Sequence, residues 1–123
     1  MRGRWHIYPE LAAAGLWTTP TDLARFAMEI RRSYHGEPGA LLSQDMAEKM
    51  LTRQVGNFGL GFVIPAKGVP RFQHGGANLG FICFLVLSVE SGDGVVIMTN
   101  GDSGGALINV IFPAIAAAYG WHV

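Results

Sequence analysis

Apolar residues recur at helical spacing through the first half of this chain and at strand spacing through much of the second. Thr19 followed by Pro20 reads as a helix start, a hydroxyl cap before proline at the first helical position. Leu23, Phe26, Ala27 and Ile30 then fall at i, i+3, i+4 and i+7, one apolar face of a helix to about Ser33. Asp22 lies in its first turn, where negative charge suits the dipole, and Arg25, Glu29, Arg31 and Arg32 form the solvated side. The Arg31-Arg32 pair reads as an exposed helix end rather than a binding patch. Ser43 can cap a shorter helix to about Leu51, with Met46, Ala47, Met50 and Leu51 on one face.

From Phe58 the period changes to two. Phe58, Leu60, Phe62 and Ile64 alternate with Gly59, Gly61 and Val63, which predicts a strand with one small-residue face. A second short strand is expected over Arg71–His74. Phe81–Val89 is apolar on both faces and therefore reads as a central strand. Glu90–Gly94 is a hairpin loop leading back into Val95–Thr99. A last helix is expected from about Gly105 to Tyr119, packing through Leu107, Ile108, Ile111, Ile115 and Ala118, with Pro113 kinking or breaking it. The class is α+β: an antiparallel sheet of about four strands flanked by helices.

Composition narrows the picture. The chain has 123 residues, half of them hydrophobic and 15% charged, which suits one folded domain over residues 1–123 and excludes disorder. Nine basic residues balance nine acidic ones, so no field attracts nucleic acid or an anionic membrane, and neither partner is expected. No apolar stretch reaches the ~18–20 residues of a membrane-spanning helix. The start, Met1–His6, shows no signal peptide, and Trp5 and Tyr8 read like the middle of a domain, so Met1 is not expected to be a native start. The single cysteine, Cys83, reads as a small buried hydrophobe and gives no internal disulfide and no compartment. His6, His35, His74 and His122 show no close metal-ligand spacing, so no metal or cofactor is expected.

Two stretches carry possible chemistry. Gly101-Asp102-Ser103-Gly104-Gly105 matches the string around the nucleophile of chymotrypsin-like proteases, but that mechanism needs an upstream histidine and aspartate on a double β-barrel. Here the string joins a strand to a helix, where Asp102 or Ser103 serves as a cap. The other stretch is Phe72-Gln73-His74-Gly75-Gly76-Ala77-Asn78-Leu79-Gly80, which sets a titratable ring beside glycines at the mouth of the central strand. His74 can donate to a substrate carboxylate or carbonyl, or shuttle a proton. Gly75 and Gly76 let a substrate lie along the strand, and the Ala77 N–H can face a developing oxyanion.

Four segments recur together and in order: Gly15–Phe26, Gly59-Leu60-Gly61-Phe62, His74-Gly75-Gly76 and Met98–Asp102. Together they resemble the C-terminal part of the serine β-lactamase and penicillin-binding-protein-like hydrolases, closest to the class C β-lactamase, D-alanyl-D-alanine carboxypeptidase and esterase branch. The resemblance covers essentially the whole chain and implies an incomplete β-lactamase/transpeptidase-like fold. It implies that His74, Gly75 and Gly76 occupy the family's Lys-Thr-Gly-type third motif, with Ala77 supplying an oxyanion-hole N–H. Gly75 lacks the hydroxyl often found there, which tilts the expected activity from β-lactamase toward esterase or peptidase. The family's Ser-x-x-Lys is missing: Ser33, Ser43, Ser88, Ser91 and Ser103 are not followed by lysine at the third position. The Tyr-x-Asn or Ser-x-Asn second motif is missing too.

The chain therefore reads as a C-terminal fragment of a hydrolase for a small-molecule acyl substrate, inactive alone. Family members are often periplasmic or secreted. In the family, N-terminal strands complete the sheet beside the last strand, so Val95–Thr99 would here be an open edge inviting self-association. The alternative is a non-catalytic binding or assembly module using the His74 cleft and that edge.

Overall fold

The computed structural model describes residues 9–68 and 70–121. Trp5, His6, Tyr8 and His122 lie outside the described residues. The elements follow in the order α1 (Leu11–Ala14), α2 (Pro20–Tyr34), α3 (Gln44–Met50), β1 (Arg71–Asn78), β2 (Phe81–Ser88), β3 (Gly94–Thr99) and α4 (Gly104–Tyr119). The class is α+β, as the sequence pattern predicts.

The starts of α2 and α3 follow from their caps. The Thr19 hydroxyl accepts from the Asp22 N–H at 3.1 Å, and Pro20 opens α2 with its φ already helical. Ser43 caps α3 in the same way, accepting from the Met46 N–H at 3.3 Å. Between the two helices the chain turns around Glu29, whose carboxylate accepts from the Leu41 N–H at 2.7 Å and from Arg32 at 2.7 Å. The Leu41 amide, with Arg32 adding to it against partial burial, holds this carboxyl below its ordinary range.

Among the described residues the sheet has three antiparallel strands in chain order, β1-β2-β3, not four. The segment Phe58–Ile64 does not form a strand. Gly61 takes a left-handed φ of 83°, which breaks the extended path, and the Gly59 N–H closes a tight turn onto the Phe62 carbonyl at 2.8 Å. Only Val63 reaches the sheet, exchanging two backbone hydrogen bonds with Gln73 at 2.8 and 3.0 Å. β1 is correspondingly longer than expected, because glycines at 75 and 76 stay extended when paired to Phe84 and Cys83.

β2 is central, as its apolar character on both faces requires. On one face Leu85, Leu87 and Val89 join Phe72, Phe62 and Leu51 against Ala27 and Ile30 of α2. On the other, Phe84 meets Phe112 of α4 edge to face at 5.4 Å. α4 packs through Gly104, Ile108 and Ala116, with Ile111, Phe112 and Ile115 half-buried, whereas the expected contacts Leu107 and Ala118 face outward. α4 also runs unbroken through Pro113. Pro113 and Asn109, whose carbonyl loses its helical donor there, both lie on the exposed side, so water can satisfy the freed carbonyl.

The hairpin between β2 and β3 is fastened to the end of α2. Arg31 donates to the carbonyls of Val89 at 2.9 Å and Glu90 at 2.8 Å, and His35 Nε2 meets the Val89 oxygen at 2.9 Å. The exposed helix-end reading of Arg31 is thus replaced by a tertiary clamp, while Arg32 pairs locally with Glu29 and Glu37.

Candidate functional site

β1 changes character along its length. Phe72 is fully buried, and from His74 to Ala77 every residue is exposed. β1 is also an edge strand. Its inner side pairs with β2, and its outer side meets only Val63 among the described residues. Gln73 turns both its N–H and its C=O outward to that residue. Peptide groups of a strand alternate in direction, so those of Gly75 and Ala77 turn to the same open side. The bare edge thus offers two N–H donors and two carbonyl acceptors in a row.

The two glycines differ in what they leave room for. A Cβ at Gly76 would stand 3.0 Å from the Cys83 sulfur, so this position is small because the neighbouring strand fills it. A Cβ at Gly75 would meet nothing nearer than the Cys83 carbonyl at 3.6 Å, an ordinary contact. Gly75 is therefore bare without being sterically forced to be. Cys83 itself is half-buried and unpaired.

The His74 ring is held at one end. Its Nδ1 lies 2.9 Å from the Gly61 carbonyl. The loop that carries Gly61 is itself pinned: Phe62 packs edge to face on Phe72 at 4.8 Å, and Val63 makes the next rung with Gln73.

The other recurring segments close in on the same strand. Asn78, at the far end of β1, donates to the Ala14 carbonyl at 2.9 Å, and Trp17 stands edge-on to Phe81 at 5.5 Å. These contacts draw the chain before α2 onto the end of the β1–β2 hairpin. Asp102 accepts from the Gly80 N–H at 2.6 Å, tying the β1–β2 turn to the start of α4. Neither Asp102 nor Ser103 caps α4 by its side chain. The expected cap is replaced by a hydrogen bond across the fold. Gly104 is bare because a Cβ there would collide with the Thr99 side chain. Among the described residues the Ser103 hydroxyl has no hydrogen-bond partner, and so no histidine or carboxylate hydrogen-bonded to it as a base.

What the sequence alone did not show is the role of Gly61. The signal was present as Gly59-Leu60-Gly61-Phe62, but strand alternation masked the turn that aims the Gly61 carbonyl at His74. Among the described residues no group of three or more His, Cys, Asp or Glu side chains is placed to hold a metal ion, and no helix is long and apolar enough to cross a membrane.

No curated protein and no solved structure matches the chain significantly. A family model does: the one described as Beta-lactamase matches residues 1–119. That span takes in the β1 segment and the three others gathered around the β1–β2 hairpin, and the chain accordingly belongs to the Beta-lactamase family of serine β-lactamase and penicillin-binding-protein-like hydrolases.

Proposed function

We propose that this chain forms one wall of the acyl-transfer site of a β-lactamase-family serine hydrolase, and that these 123 residues do not turn over substrate by themselves. The observation that carries the reading is the open stretch of β1, where the peptide groups of Gly75 and Ala77 face outward beside His74. An acyl substrate laid along this edge receives backbone hydrogen bonds from the strand. When a nucleophile attacks its carbonyl, negative charge gathers on the oxygen, and the Ala77 N–H is the donor suited to meet it. A single donor of this kind is worth about 10²–10³ in rate when it sits ~2.7–3.1 Å from the oxyanion.

The first step has no starting group here. None of the five serines is followed by lysine at the third position, so an activated serine must come from a Ser-x-x-Lys segment outside these residues. Gly75 brings no hydroxyl to hold a substrate carboxylate, which favours an ester or peptide over a β-lactam. The test is hydrolysis of p-nitrophenyl acetate and nitrocefin. The chain alone is expected to show no burst, and co-expression with a Ser-x-x-Lys-bearing segment of the same family is expected to give turnover that His74→Ala reduces. A burst from the chain alone, lost on His74→Ala, would overturn the inactivity.

A second reading, an assembly module, is favoured by the opposite edge. β3 carries no charge and no proline, the usual guards against edge pairing. Beside it α4 turns Leu107 and Val110 outward, 50% and 69% exposed, on a helix with no charged residue. Pairing of two β3 edges would join two sheets into one and cover these side chains. Light scattering at rising concentration checks this: a concentration-dependent dimer is expected, and a monomer throughout would remove the reading.

A further inference from the structure

Two histidines lie among the described residues, and each meets a backbone carbonyl through a different nitrogen. His35 presents Nε2 to Val89 at 2.9 Å, and His74 presents Nδ1 to Gly61 at 2.9 Å. A carbonyl oxygen only accepts, so the nitrogen facing it carries the hydrogen. A neutral imidazole has one N–H. His35 is thereby held as the Nε2–H form and His74 as the Nδ1–H form, the opposite of the form a free histidine side chain favours in water.

We propose that Gly61 is a positioning residue for His74: its carbonyl fixes the neutral ring as Nδ1–H and leaves Nε2, which has no partner among the described residues, as a hydrogen-bond and proton acceptor on an exposed ring. The proposal rests on the reading of β1 as the wall of an acyl site. It decides between the two uses that the residue type allows. A carboxylate brings no hydrogen and would set its lone pairs against that of Nε2. A hydroxyl does bring one. The ligand class for this nitrogen is therefore a hydroxyl-bearing group: a water, a serine or an alcohol.

The step balances as follows. The hydroxyl oxygen forms its bond to the acyl carbon as its proton passes to Nε2, the ring becomes doubly protonated with Nδ1–H still on the Gly61 oxygen, and the proton then passes to the departing alkoxide as the bond between acyl carbon and leaving group breaks.

The geometry that makes Gly61 suited to this is local. Its φ of 83° lies in the left-handed region, where L side chains are strained, and the turn from Gly59 to Phe62 closes around it. A Cβ at Gly61 would meet nothing within 4 Å. Space is therefore no obstacle to substitution, and backbone conformation is the only cost. Asparagine tolerates that conformation and alanine does not. The pair of variants Gly61→Asn and Gly61→Ala thus separates the aim of the carbonyl from mere occupancy of the position.

The experiment is a long-range proton–nitrogen spectrum of the chain labelled at histidine, taken at a pH above the measured titration of the rings. His74 is expected to show a pyrrole-type Nδ1 and a pyridine-type Nε2, and His35 the reverse. Gly61→Ala is expected to shift His74 toward the Nε2–H pattern while His35 keeps its own, which reports an intact fold. Gly61→Asn is expected to restore the Nδ1–H pattern. An Nε2–H pattern at His74 in the unaltered chain would overturn the proposal, as would an unchanged His74 in a folded Gly61→Ala. If Gly61→Ala loses the His35 pattern and does not fold, Gly61→Asn decides: retention of Nδ1–H supports the proposal, and its loss overturns it. None of these signals requires turnover, so the tautomer can fail while the acyl-site reading stands, and the reverse.

Discussion

The two ends of β1 share one strand and one partner, yet they answer to different demands. At its start Phe72 is closed in by Phe62 and the α2 face of the sheet, with no exposed surface. A few residues on, Gly75 and Ala77 lie bare along an unpaired edge. The first end is dense because apolar burial holds the sheet on α2. The second is open because, among the described residues, nothing beyond Val63 covers the outer side of β1. Their proximity matters: Val63 and Phe62 fasten the dense end, and the same loop carries the carbonyl that holds His74. Rigidity is made where it is cheap and used one rung away.

If the dense end anchors the strand, Phe72→Ala has the largest effect. A loss of about 3–5 kcal/mol is expected, read as a lowered urea midpoint. A loss below about 1 kcal/mol would break the distinction between the two ends. Gly76→Ala comes next. Its Cβ would press on Cys83, and a cost of about 1–3 kcal/mol is expected for overpacking. Cys83→Ala in the same chain should return most of it, and a double-mutant cycle measures the coupling. Gly75→Thr, one residue away, is expected to stay within about 0.5 kcal/mol, because a Cβ there makes only an ordinary contact and the position is an exposed one on a strand. Equal costs at Gly75 and Gly76 would show that the bare end is packed after all.

The smallest effect belongs to the anchoring side, at Glu29. Its folded carboxyl titrates below the ordinary value of 4.5, held down first by the Leu41 amide and then by Arg32. A depressed carboxyl contributes stability that is present above the unfolded value and lost as pH falls through the folded one. Glu29→Gln is therefore expected to differ from the unaltered chain near neutral pH and to converge with it as pH drops below 4.5. Parallel denaturation curves at the two conditions check this.

How much of this was legible in the sequence depends on which force set each element. The caps at Thr19 and Ser43, the apolar face of α2 and the central place of β2 follow from local chemistry and periodicity, and they stand where the pattern puts them. The Phe58–Ile64 alternation misled because glycine satisfies a small-residue strand face and a left-handed turn equally well, and the tertiary pull of Phe62 toward Phe72 chose the turn. Asp102 and Ser103 had the right types for a helix cap. The turn at Gly80 was in reach of Asp102 only through the fold, so no local rule could place it. His74 stood out in the sequence by its glycine neighbours, but which of its nitrogens meets the protein was not legible, since that depends on a carbonyl thirteen residues upstream.

The strand order carries a last consequence, for how the molecule assembles. Spatial order equals chain order in this sheet, so every rung joins neighbours in sequence and closes only short loops. The clamp from Arg31 to Val89 instead spans 58 residues. Loop-closure entropy favours the meander first and the docking of α2 afterwards. The open edge beside His74 thus draws its strand register from the pairing that is entropically least costly to form, and the helices arrive at a surface whose geometry is already drawn.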